Sequence, residues 1–238
     1  HFTDRRQRQM CIRDRLLRAL RAGELKTIFI SLCLSVAVVA AVSIFAERIE
    51  KAIVNESKEL LGSDFIVKSS KPIPQVWIEY AVNRNIDVSR TLSFASVVFF
   101  NENMHLAYIK AVESNYPLRG SILTSQLPFT YDVKQMEEFT SGPKVGEIWV
   151  ESRLLPILNV EIGSQIDIGE SSLTITKILI EEPEGPSFSI LGSRILMNFA
   201  DVESTNVVQP GSRVTHNLLV ASSKESAVSY THLTLPTI

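Results

Sequence analysis

The sequence predicts an α+β protein on a single membrane helix: an N-terminal transmembrane helix with a stalk, then a mixed α/β layer interrupted by a β-rich insertion. Three observations carry this. Residues 27–45 form nineteen consecutive positions without a charge. Residues 64–113 read strand, helix, strand, strand. After Gly142-Pro143 the composition shifts to short β-rich runs with period-two alternation.

At about 1.5 Å per helical residue the uncharged run covers about 28 Å, close to the hydrocarbon thickness of a bilayer. It is apolar or small on every side, whereas a soluble core helix shows a polar stripe. A cleaved signal peptide is the stronger rival, since the flank is basic. The run is longer than a usual signal core, and no small-x-small cleavage site follows it before charges begin. Arg15, Arg18, Arg21 and Lys26 precede the run, while Glu47, Arg48, Glu50 and Lys51 follow it with balanced charge. The positive-inside rule therefore places residues 16–26 in the cytoplasm and everything after residue 45 outside.

Beyond the span the pattern stays helical. Ile49, Ile53 and Leu60 recur near one face with Ala52 and Leu61 beside them, Glu47 stands four residues before Lys51, and Gly62 is placed to end the helix. A stalk over residues 46–61 is expected to continue the membrane helix, the alternative being a separate surface helix after a break, although no Pro or Gly marks one before Gly62. Residues 64–69 read as a strand ended by Lys71-Pro72-Ile73-Pro74. Residues 75–84 form a short helix expected to bury Val76, Trp77, Tyr80 and Ala81. Two strands over 90–100 and 105–113 flank the polar turn Asn101-Glu102-Asn103. Residues 121–141 carry no clear pattern. Thereafter come a strand over 147–150, a helix over 152–158, and a tight β unit over 162–180 in which Ile166, Ile168, Leu173, Ile175, Ile178 and Ile180 alternate around the turn Gly169-Glu170-Ser171. Ile195-Leu196-Met197 precedes a helical turn that Asn198 can cap, and Gln209-Pro210-Gly211-Ser212 turns the chain into a last strand over 214–221.

The termini read differently. Gln9-Met10-Cys11-Ile12-Arg13-Asp14-Arg15 and Val228-Ser229-Tyr230-Thr231-His232-Leu233 resemble the two translated ends of a sequencing adapter. Residues 1–15 and 228–238 are therefore expected to be artefact, and the chain a fragment running from about residue 16 to residue 227.

Composition excludes several function classes. The net charge of −2 offers no electrostatic footprint for nucleic acid. Cys11 lies in the adapter-like end and Cys33 in the membrane run, so neither a disulfide framework nor a thiolate metal site is available outside. No catalytic, metal or cofactor-binding residues are expected. His1 and His232 fall in the adapter-like ends, and His105 and His216 sit singly in strand-like runs, without metal-ligand spacing. Glu181, Glu182 and Glu184 could attract a cation, yet Pro183 and Gly185-Pro186 suggest a solvated acidic loop over 181–187. Phe99, Phe100 and Tyr108 lack accompanying basic residues and read as core. Arg119, Trp77 and Trp149 suit turn and core roles, and no substrate-binding residue can be assigned. No Gly-x-x-x-x-Gly-Lys-[Ser/Thr] stretch occurs, so any ATP used must be bound by another chain.

Specific words narrow the field. Leu-Arg-Ala-Leu-Arg-Ala-Gly-Glu-Leu at 17–25 precedes the span, and Glu-Leu-Leu-Gly-Ser-Asp-Phe-Ile-Val at 59–67 follows the stalk. Lys110-Ala111-Val112-Glu113 stands just before Tyr116-Pro117-Leu118-Arg119-Gly120. Gly-Glu-Ile-Trp-Val-Glu-Ser-Arg-Leu-Leu lies at 146–155 and Arg-Ile-Leu-Met-Asn-Phe-Ala-Asp-Val at 194–202. This order resembles the MacB/FtsX-type permeases of ABC transporters, most closely the YbbP-like branch, over essentially residues 16–227. The resemblance implies a bacterial inner-membrane protein whose outer region is a periplasmic core domain: a porter-like α/β part over 62–142 and 214–227, and a β-rich, sabre-like insertion over 143–213. It implies a non-catalytic permease subunit without a cofactor of its own, an ABC-type ATP-binding partner, a lipid bilayer, a dimer of permease halves or subunits, and hydrophobic or lipid-linked substrate. The second half of the porter, the further membrane helices and the coupling helix of the family are missing from this sequence. A single-pass sensor with an outer ligand-binding domain, and an FtsX-like envelope scaffold, are the alternatives.

Overall fold

The computed structural model describes residues 24–130, 132–184 and 192–222. The adapter-like ends, most of the basic segment, and residues 185–187 of the acidic loop lie outside the described residues. The chain divides into two units, residues 1–54 and 55–238.

In the first unit the described residues belong to helix α1, Glu24–Leu61, whose last turns fall in the second unit. Its 38 residues correspond to about 57 Å of helix. The apolar side chains are exposed on every face, among them Phe29, Leu34, Val39 and Phe45, and the helix is long and apolar enough to cross a bilayer. No Pro or Gly interrupts it before Gly62. Lys51 bonds Glu47 at 2.7 Å, the pair expected from their spacing. Span and stalk are one element.

The second unit is organised around one sheet. After β1 (Phe65–Ser69) and α2 (Gln75–Val82) come β2 (Ile86–Phe100), β3 (Asn103–Val112) and β4 (Ile122–Ser125). A 3₁₀ turn at Val133–Gln135 leads into β5 (Met136–Phe139), then β6 (Glu147–Glu151), α3 (Leu154–Leu158), β7 (Gln165–Ile168) and β8 (Ser171–Glu181). The chain finishes with β9 (Ser193–Asn198), a 3₁₀ turn at Phe199–Asp201, α4 (Val202–Thr205) and β10 (Val214–Ser222). Strand order is β1-β10-β2-β3-β9-β6-β8-β4-β5, and β7 pairs with both β2 and β8. That double pairing closes β2, β3, β9, β6, β8 and β7 into a ring. The ring is a small barrel, which removes the edges of its member strands.

Period-two alternation divides the barrel strands between two cores. Ile109 and Ala111 of β3, Ile148 and Val150 of β6, Ile175 and Ile178 of β8, and Ile195 and Met197 of β9 point into the barrel, where α3 adds Leu154, Leu155 and Leu158. Val112, Trp149, Leu179 and Leu196 of the same strands point outward and meet Tyr116, Ile122 and Leu219 in a second core. Each fully buried side chain of this size contributes about 1.5–3 kcal/mol. Gly169, at φ 60°, makes the tightest approach: a Cβ there would stand 2.0 Å from the carbonyl oxygen of Thr205.

Three expectations need amendment. Residues 121–141 contain β4 and β5, which pair with each other antiparallel; their short length hid the alternation. Helix α2 buries Ala81 but leaves Val76 and Tyr80 exposed, with Trp77 half-buried, because it packs only one narrow side on β2. Phe99 is exposed rather than core, since its neighbour Val98 takes the inward position and Phe99 pairs with Met104 on the outer face. The β-rich segment 143–213 supplies four of the barrel strands, β6 to β9, while β2 and β3 come from the segment before it.

Ile175→Ala is expected to lower unfolding free energy by about 2–5 kcal/mol through loss of barrel packing. Met104→Ala, at a side chain 69% exposed, should stay within about 0.5 kcal/mol. Denaturant titration of the detergent-solubilised chain measures both, and equal losses would contradict this interior.

Candidate functional site

Among the described residues, a polar cluster lies where the end of α1 meets the domain. Gly62 ends the helix at φ 65°, its N–H donating to the carbonyl of Glu59 at 3.1 Å. Its carbonyl then accepts from the backbone N–H groups of both Leu118 and Arg119 at 2.9 Å. No side chain fits there: a Cβ on Gly62 would stand 2.7 Å from Cβ of Pro183 and 3.4 Å from that of Pro117. Gly120 lies equally close: a Cβ there would stand 3.0 Å from the carbonyl oxygen of Glu59. The Tyr116–Gly120 segment therefore wraps the helix terminus.

Asp64 secures the far side of this collar. Its carboxylate accepts from Arg119 Nη2 at 3.1 Å and from the backbone N–H of Ser222 at 2.9 Å, and lies 3.2 Å from Lys58 Nζ. Arg119 also donates to the Ser222 carbonyl at 2.9 Å. Partial burial alone would raise the Asp64 pKa; the Ser222 N–H, Lys58 and Arg119 outweigh it and hold the carboxyl below its ordinary range.

Behind the collar sits Lys110, an interior lysine on β3. It occupies the outward row of the barrel, opposite Leu196 on β9, so its side chain enters the second core. The Nζ donates to Tyr116 Oη at 2.6 Å and to the Pro183 carbonyl at 3.1 Å, and is 2.9 Å from Glu184 and 3.5 Å from Glu182. Tyr116 Oη donates onward to the same Pro183 carbonyl at 2.8 Å. Burial pulls the lysine pKa down, yet the Tyr116 oxygen and the two carboxylates prevail and hold it above the usual range. Tyr116 is pushed up by burial, so it remains a neutral phenol. An ammonium is thus kept charged inside the protein by a purpose-fitted shell.

The acidic loop is the principal correction. Glu182 and Glu184 were expected to be solvated, yet both side chains are about 8% exposed and face Lys110. Their partner lies seventy residues away in sequence, beyond the reach of local pattern. Glu184 also joins the loop to the helix, its backbone N–H donating to the Leu60 carbonyl at 2.6 Å. On the other side Glu182 is 3.9 Å from Arg194 Nη1 on β9. Arg194 reaches the Ile180 carbonyl of β8 through Nη2 at 3.3 Å and Glu151 of β6 through its backbone N–H at 3.1 Å. The other residues weighed from sequence lie elsewhere. Trp149 is core, 5.3 Å from Phe139 between ring centres; His105 is 3.4 Å from Ser193 Oγ; and His216, on β10, has its pKa lowered by burial. The Lys110 cluster joins the end of α1, the acidic loop and β9, an arrangement that suits the holding of one element against another.

No family model matches the chain. It is 32% identical over 220 residues, 92% of its own length, to an uncharacterized ABC transporter permease, YbbP, of Escherichia coli strain K12. The chain spans about a quarter of that relative's length, 26%. Among solved structures, the periplasmic region of MacB from Actinobacillus actinomycetemcomitans is 13% identical, with 75% of this chain and 84% of that one covered at a TM-score of 0.45. The extracellular domain of the noncanonic ABC-type transporter YknZ from Gram-positive bacteria is also 13% identical, with 75% of each chain covered at a TM-score of 0.40. The permease resemblance read in the sequence is borne out by the Escherichia coli relative.

The depressed pKa of Asp64 makes its contribution to stability present above its unfolded value of 3.8 and lost as pH falls through the lower folded value. Asp64→Asn should therefore be less stable than the parent at neutral pH, with the gap closing in acid. Thermal melts across that range check it, and a gap independent of pH would contradict the assigned ionic role.

Proposed function

We propose, with kinship to the ABC transporter permeases as premise, that this chain is the membrane anchor and outer domain of a permease subunit. In this reading a partner ATPase closes on ATP beneath the membrane, α1 shifts, and the outer domain moves with it to handle a hydrophobic or lipid-linked substrate. The chain itself performs no catalysis. The basic flank before the span and the neutral flank after it favour a cytoplasmic N-terminus and a periplasmic domain. Residues 62–142 with 214–227 then serve as the porter-like part and 143–213 as the sabre-like part, the two sharing the barrel.

The observation that carries the proposal is the continuity of α1 from Glu24 to Leu61. A helix transmits displacement along its axis, whereas a flexible linker of the same length dissipates it. An ordinary tether would need neither the unbroken helix nor a buried collar at its end.

Inserting Gly-Gly after Ile49 in the full-length permease should leave membrane insertion intact and abolish transport-dependent ATP turnover by the assembled transporter. Turnover equal to that of the parent would argue against the lever.

A further inference from the structure

We propose that the buried Lys110, Tyr116, Glu182 and Glu184 form a latch that hands displacement of the α1 terminus to the Glu182–Glu184 run that follows β8, and through Arg194 to the barrel. This deepens the lever reading and rests on it, because it names where the movement enters the domain and which strands receive it.

The geometry has the two faces such a device needs. On the input face, the Glu184 N–H holds the Leu60 carbonyl at 2.6 Å and Pro183 packs over Gly62, whose missing Cβ leaves it room. The loop is thus fastened to the last turn of the helix by backbone and by shape. On the output face, the Pro183 carbonyl accepts from both Lys110 and Tyr116, and Glu182 approaches Arg194, which ties β9 to β6 and β8. Lys110 stands between, with Glu184 on the input side and Glu182 on the output side.

Stability alone does not account for these residues. A buried ion cluster is replaceable by apolar side chains at little or no loss, since desolvation offsets the attraction. Here the cluster is also loosely closed: Glu182 Oε2 and Arg194 Nε make no hydrogen bond and are held by ion pairs alone, at 3.5 Å to Lys110 Nζ and 3.7 Å to Glu151 Oε2. Charges with spare bonding capacity can exchange partners when the loop shifts, whereas an apolar plug only resists. A charged latch can therefore hold two arrangements of one loop, which is the property a transmitting contact requires.

The test is residue-resolved hydrogen exchange on the full-length permease with its ATP-binding partner in nanodiscs, nucleotide-free and trapped with ATP and vanadate. Three amides report in sequence along the path: Gly62 at the helix end, Glu184 in the loop and Arg194 on β9. In the parent, trapping should change exchange at all three. In Lys110→Met the response should persist at Gly62 and fall about tenfold or more at Arg194, the weight expected of a hydrogen bond to a charged group. Tyr116→Phe should weaken it in the same direction, and because it removes one oxygen it decides the matter if Lys110→Met does not fold. Parent-like responses at Arg194 in the folded variants would overturn the latch, as would a parent that responds at Gly62 but not at Arg194. A parent silent at Gly62 would overturn the lever itself, and the latch with it.

Discussion

A lysine ammonium held out of water must be surrounded by opposing charge and by hydrogen-bond acceptors, and this requirement at Lys110 organises the junction between helix and domain. Two carboxylates, a phenol and a carbonyl meet it, and three of these four come from the short run Glu182–Glu184. That run cannot leave without stranding the charge. Once held, it presents Pro183 to Gly62 and the Glu184 N–H to Leu60, so neutralising one cation also fixes where a 38-residue helix ends. The Tyr116–Gly120 segment completes the fixation from the other side through the Gly62 carbonyl and the Arg119–Asp64 pair.

The barrel makes this placement possible. Lys110 is flanked along β3 by Ile109 and Ala111, which are fully buried inside the ring. Strand alternation then sends Lys110 to the outer row with Leu196 and Trp149. A shift of one residue in β3 would place the charge in the barrel interior and an isoleucine at the helix junction. Register, set by the apolar pattern of β3 and of its two neighbours β2 and β9, thereby determines the electrostatics of a site outside the barrel.

The parts legible in the sequence were those written in local periodicity. The unbroken α1, its stop at Gly62, the β2–β3 hairpin and the β7–β8 unit all follow from residues within a few positions of one another, as does the Asn198 cap, which accepts from the Ala200 N–H at 2.9 Å. The ring closure was not legible, because the pairings β3 with β9 and β6 with β8 join distant segments in parallel. The site was half legible. The words around Lys110, Tyr116 and Gly120 stood out by resemblance, but the acidic loop looked solvated because Pro183 and Gly185-Pro186 mark a loop and nothing local ties its carboxylates to a cation seventy-two residues earlier. A lysine in a strand whose flanking residues are apolar was the available signal: such a position must find carboxylates somewhere, and the nearest one in sequence, Glu113, is taken by Arg90.

The account depends most directly on α1 remaining one stiff helix from the membrane to the collar. Spin labels at positions 43 and 56 of the full-length protein in bilayers, with native cysteines replaced, measure this by pulsed dipolar spectroscopy. Thirteen helical residues separate them, so an unbroken helix gives a narrow distribution of backbone spacing centred at about 20 Å. A broad distribution, or one centred well away from that length, would mean that α1 bends or melts within this stretch and that no stiff rod leads to the collar.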